Sequence, residues 1–155
     1  MGADTVATHL ILFIAVLAIA TGLVIGIKNF SDNAESSIKE KGDAINQQIK
    51  TSLAIEVISY NNDSKKLNVY ARNIGKTNLK IDQIDIYING QRIPRNTDNR
   101  TITVLEDTTN SNTPLVWNPN ELIEIIINKE MDENTINELT ITTQYNFKKT
   151  ESFSI

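Results

Sequence analysis

The sequence predicts a long N-terminal hydrophobic α-helix followed by an all-β domain, an antiparallel sandwich. Three observations carry this. Fifteen of the 18 residues from Leu10 to Ile27 are apolar. A helical period then continues to about residue 52, and beyond Ser52 the apolar residues recur every second position between turn clusters. At 155 residues the chain holds one ordinary domain and an appendage, which excludes a multidomain enzyme. The expected divisions are 1–28, an apolar helix; 29–52, an amphipathic stalk; and 53–155, the β domain.

Between Asp4 and Lys28 no residue is formally charged, and a helix of that length spans roughly 35 Å, enough to cross a bilayer core of about 30 Å. No Lys/Arg-rich segment precedes the apolar run, and no A-x-A-like site follows it, so the helix is expected to be retained rather than removed as a signal peptide. A helix apolar on every side needs lipid or sister helices around it. The core of such a span is Leu10, Phe13, Ile14, Leu17, Val24 and Ile25. Ala18, Gly22 and Gly26 recur every four residues and form one small-residue stripe, the geometry that lets helix backbones approach and self-associate. His9, the single histidine, is placed at an interface, and Asp4 near a helix N-terminus is favoured by the macrodipole. The flanking charges do not set an orientation.

From Phe30 a sparser stripe persists through Ala34, Ile38, Ile45 and Ile49, with charged residues elsewhere. No proline occurs before Pro94, so span and stalk are expected to form one helix, with Gly42 its weakest point.

In the β region Leu53 to Tyr60 reads as a strand, Asn61 to Ser64 as a turn and Leu67 to Asn73 as its antiparallel partner. A turn around Gly75 leads to Leu79 to Ile88, whose alternation breaks phase near Gln83 in the manner of a bulge. Asn89-Gly90 is a hairpin signal, because a two-residue type I′ turn needs positive φ at both positions. Gln91 to Ile93, Thr101 to Leu105, Leu115 to Trp117, Leu122 to Ile127, Leu139 to Phe147 and Glu151 to Ile155 complete eight or nine strands. Trp117 is the expected plug of the core. Glu106 to Thr113 and Lys129 to Glu133 read as loops.

Net charge is −4, from 15 basic and 19 acidic residues, and no segment offers a basic face to phosphate, so no nucleic-acid partner is expected. The chain has no cysteine, which excludes disulfides, thiolate metal sites and thiol catalysis. Acid pairs such as Asp82 with Asp85, Glu106 with Asp107, and Asp132 with Glu133 fit solvated loops and strand faces; the first two residues of the Glu106 loop lack the regular oxygen spacing of a calcium loop. There is no phosphate-cradling loop, nucleophile elbow or histidine triad. No catalytic, metal-binding or cofactor-binding residue is therefore expected, and the protein reads as non-enzymatic. Sequons at Asn29, Asn62 and Asn99 occur at the frequency of chance.

The run HLILFIAVLAIATGLVIG, His9 to Gly26, is similar to the hydrophobic N-terminus of archaeal flagellins and other type IV pilin-like proteins. Their leader, a basic segment ending in Lys/Arg-Gly before the apolar run, is not expected in this chain, whose apolar run begins close to Met1. The layout resembles the accessory families FlaF and FlaG of the archaellum, with a short N-terminus, one apolar helix, a stalk and an immunoglobulin-like β-sandwich. The FlaG family is the better match, on His9 to Ala15, on KGDAINQQI from Lys41, on RNIGKTNLKIDQIDIYING from Arg72, and on Trp117, Pro119 and Glu121 before an apolar strand. The resemblance implies a stator-type structural part of the motility machinery, single-pass in the cytoplasmic membrane, with the β domain outside the cytoplasm. Its implied partners are copies of itself in a helical assembly or filament, a FlaF-type protein, S-layer protein directly or indirectly, and membrane lipid. The other structural reading is a minor pilin or filament subunit of a type IV pilus-like fibre unrelated to motility.

Overall fold

Residues Gly2–Lys50 form one helix, α1, of 49 residues in the computed structural model, which describes residues 2–105, 115–131 and 135–155, with side chains from Thr5 onward. The expected loop at Glu106 to Thr113, the pair Asp132 and Glu133, and the side chain of Asp4 lie outside the described residues. The chain divides into two units, Met1–Asp43 and Ala44–Ile155.

The first unit is helix alone. Its apolar residues are exposed along their whole run, and Gly42 does not interrupt the hydrogen-bonded turns. The hydroxyl of Thr21, the one polar side chain within that run, donates to the carbonyl of Leu17 at 2.8 Å. The helix thus satisfies its own polar group, as an apolar surrounding requires.

The second unit begins with the C-terminal end of α1, from Ala44, and is otherwise β structure with one 3₁₀ turn. One four-stranded sheet has the order β1-β2-β8-β6 and another β10-β9-β4-β5. Their strands are β1 (Leu53–Asn61), β2 (Lys66–Asn73), β4 (Asp85–Ile88), β5 (Gln91–Ile93), β6 (Arg100–Val104), β8 (Leu122–Asn128), β9 (Ile136–Thr142) and β10 (Lys148–Ser154). The short strands β3 (Leu79–Lys80) and β7 (Val116–Trp117) pair with each other. All pairs are antiparallel.

Alternation decides what the sheets bury. Leu67, Val69 and Ala71 of β2 with Ile123, Ile125 and Ile127 of β8 meet Ile86 and Ile88 of β4 and Leu139 and Ile141 of β9 in one cluster. Two sheets around one core make a sandwich. Helix and antiparallel sandwich together are the fold class the sequence predicts.

Three local expectations are corrected. Leu79 to Ile88 is not one strand with a bulge near Gln83: β3 is followed by a 3₁₀ turn at Ile81–Gln83, and then by β4. The turn is needed because β3 pairs with β7, whereas β4 belongs to the sheet of β9 and β5. The irregularity that resembles a bulge lies in β1 instead, between Ile55 and Val57. The strand expected from Leu139 to Phe147 ends at Thr142. There the amide of Thr143 donates to Phe147 O at 2.9 Å, that of Asn146 donates to Thr143 O at 3.0 Å, and Asn146 takes φ 58°. The chain therefore reverses, and β10 starts at Lys148 rather than at Glu151. The Asn89-Gly90 hairpin forms as expected, with φ 51° and 77°.

Candidate functional site

The helix residues singled out by sequence stay on the surface. Leu10, Phe13, Ile14, Leu17, Val24 and Ile25 keep between 49% and 67% of their area exposed. A Cβ added at Gly22 or Gly26 would meet no atom within 4 Å, so the stripe they share with Ala18 is open space along one face. By length and composition the helix is sufficient to cross a membrane, and none of its most apolar stretch is buried.

The last turn of α1 lies in the second unit and is closed by β-domain atoms. Helix C-termini leave carbonyls without partners. Here the Lys76 amide donates to Lys50 O at 2.8 Å and the Ile74 amide to Ser52 O at 3.0 Å. Gln48 Nε2 donates to Asn146 O at 3.3 Å. Thr51 Oγ1 lies 2.7 Å from Thr77 Oγ1 and 2.8 Å from Gln47 O. Gly75 sits where a Cβ would stand 2.5 Å from Ser52 N and 2.6 Å from Lys50 O.

This joint continues into the core. Asn73 Nδ2 donates to Thr77 O at 2.8 Å and to Trp117 O at 3.2 Å, while its Oδ1 accepts from Gly75 N at 3.1 Å. Trp117 is fully buried, and its indole N–H reaches Glu121 O at 2.8 Å. Glu121, itself buried, accepts from the Asn118 amide at 2.7 Å and from Asn118 Nδ2 at 3.0 Å. The Asn73-x-Gly75 turn and the Trp117 to Glu121 turn, 42 positions apart at their nearest residues, thus form one hydrogen-bonded knot beneath the helix end. Sequence reading noted both motifs without their meeting. It missed Thr51 and Thr77, which carry no pattern of their own.

It also missed a cluster on the second sheet. Asp85 of β4 accepts from Arg92 Nη2 at 2.6 Å and Arg92 Nε at 2.8 Å, and from Arg95 Nε at 3.1 Å. Burial acts to raise the carboxyl's pKa, but the Arg95 and Arg92 hydrogen bonds outweigh it and hold the group below its usual range. Arg100 is 5% exposed and donates from Nη2 to Ile84 O at 2.6 Å. Burial, then the charge of Arg95, lowers its pKa. The available signal was that three of the chain's four arginines fall between positions 92 and 100. Among the described residues no group of three or more His, Asp or Glu is placed to hold a metal ion.

The archaeal-type flagellin family matches residues 3–153, helix and sandwich together. The chain belongs to this family. Among solved structures, this flagellin-family chain is similar to the archaellum periplasmic stator protein FlaG from Sulfolobus acidocaldarius. Identity is 20%, over 66% of this chain and 99% of that one, with a TM-score of 0.48. It is similar also to a chain of the archaellum periplasmic stator protein complex FlaF and FlaG from the same organism, at 21% identity over 65% of this chain and 87% of that one, with a TM-score of 0.46. No curated protein matches it.

Proposed function

We propose that this flagellin-family chain is a FlaG-like, non-enzymatic structural component of the archaellum motor. Residues 1–28 anchor it in the cytoplasmic membrane, 29–52 form a stalk, and 53–155 form a β domain outside the cytoplasm. The observation that carries the reading is a helix whose apolar run is exposed on every side in a chain matched by the flagellin family along nearly its whole length. Such a helix is stable only in lipid or among its own copies. The open stripe at Ala18, Gly22 and Gly26 supports packing between copies. The strand orders β1-β2-β8-β6 and β10-β9-β4-β5 support an immunoglobulin-like reading of the sandwich.

A stator transmits reaction torque to a fixed wall, so it needs an anchor at one end and a stiff binding domain at the other. In this reading the β domain holds a FlaF-type partner and, directly or through it, the S-layer. The hydrogen bonds that close the last helical turn onto the β domain supply resistance to twisting at that joint.

The family match itself favours a second reading, a filament subunit whose helix lines a fibre core. A deletion strain and gold labelling of the protein in cells separate the two. Loss of swimming with label confined to the filament base supports the stator. Label along a fibre supports the subunit, and swimming that survives deletion supports a pilus unrelated to motility.

A further inference from the structure

The arginine cluster lies where the second sheet ends. β5 is the last strand of the order β10-β9-β4-β5, so its outer edge has no strand partner among the described residues. Arg92 is on that strand and Arg95 just beyond it, and both also hold Asp85.

Two grooves meet at Arg95. One, of about 550 Å³, is lined also by Thr142, Thr143 and Lys148. Thr143 is 3% exposed and its hydroxyl, like that of Thr142, has no hydrogen-bond partner. The other, of about 350 Å³, is lined by Arg100 and Asp82 between the apolar side chains of Ile81, Ile102 and Leu115. Arg100 Nη1 is buried without a partner. Buried polar atoms left without partners are uncommon, and each calls for an explanation.

Charge points to the missing group. Arg92, Arg95, Arg100 and Lys148 outnumber Asp82 and Asp85 by two, in a chain whose net charge is −4. A guanidinium fork matches a carboxylate in plane and spacing, and remains charged at any working pH. We propose that the two grooves that meet at Arg95 bind an extended acidic peptide segment of a protein partner. Its chain crosses the strand ends at Asp85, Thr142 and Lys148, where its carboxylates meet Arg95, Arg100, Lys148 and the threonine hydroxyls. The proposal does not depend on the stator reading, and its failure would leave the helix argument untouched.

The test uses the full chain in detergent micelles and fluorescence anisotropy of a labelled peptide of alternating Glu and Thr. The Glu peptide should bind about tenfold tighter than its Gln counterpart, and Arg95→Gln should lose about tenfold, as charge-assisted pairing requires. Lys148→Gln, at an exposed site that leaves the fold intact, should weaken binding by about threefold, while Lys65→Gln, in the turn between β1 and β2, should change nothing. Equal affinity for the Gln peptide would overturn the proposal, as would unchanged binding by a folded Arg95→Gln or Lys148→Gln variant. Binding of neither peptide would mean that the arginines only guard the edge. Displacement by inorganic phosphate at the peptide's own concentration would mean a site for free oxyanions, and would equally overturn it.

Discussion

Gly75 and Lys50 approach so closely that a Cβ on Gly75 would stand 2.6 Å from the Lys50 carbonyl oxygen. The same oxygen accepts from the Lys76 amide at 2.8 Å. The turn after β2 is thus pressed against the end of α1, and the closeness is what lets its amides cap the helix carbonyls.

Gly75→Ala should therefore destabilise the β domain by about 1 to 3 kcal/mol, the usual cost of forcing atoms into a packed site. The neighbours are backbone and cannot swing aside. Urea unfolding of the full chain in detergent, followed by far-ultraviolet circular dichroism, measures this; a change within error would show that the joint relaxes freely.

Trp117→Ala should cost about 3 to 5 kcal/mol, because it removes the largest fully buried side chain and leaves a cavity. Trp117→Phe should cost less, since Glu121 O keeps its bond from the Asn73 amide. The comparison by the same unfolding assay separates lost volume from the lost indole hydrogen bond.

The Asp85 carboxyl titrates below its ordinary value near 3.8 in the folded protein. A lowered folded pKa means that its contribution is complete above the unfolded value and is lost as pH falls through the folded one. Asp85→Asn should thus be less stable than the parent at neutral pH, with the gap constant down to about pH 4 and closing below it. Unfolding midpoints of both proteins between pH 7 and pH 2.5 give the curve. A gap that widened on acidification would contradict the sign.

A Cβ on Gly22 meets no atom within 4 Å, so Gly22→Val places its bulk on the open face of the helix. If the small-residue stripe packs copies together, the variant should lose about 1 to 2 kcal/mol of association while keeping its helix content. Sedimentation equilibrium in detergent reads the former and circular dichroism the latter.

How far the fold was legible depended on whether each signal was local. The apolar run, the absence of proline and the Asn89-Gly90 turn act within a few residues, and the structure has them where the sequence puts them. The reversal at Asn146 was hidden because Tyr145 and Phe147 prolong the alternation of β9 past its end. β10, with the sequence KKTESFS, has little apolar pattern because it is a sheet edge. The break at Gln83 was visible, but its cause, a change of sheet between β3 and β4, lies in pairing with strands far along the chain. The knot of Asn73, Thr77 and Trp117 was illegible for the same reason: each residue is ordinary in its own window and acquires meaning only across 44 positions.

The hairpin at Asn89 bears on how this protein ages. An Asn-Gly bond is chemically fragile, because the glycine amide nitrogen can attack the asparagine carboxamide, expel ammonia and leave a succinimide. Here Asn89 Nδ2 donates to Asn137 Oδ1 at 2.9 Å and Asn89 Oδ1 accepts from the Glu138 amide at 2.8 Å. Both ends of the carboxamide are tethered to β9, away from the rotation that attack requires. Deamidation at this bond becomes a clock that runs while the hairpin is open and stalls while it is closed.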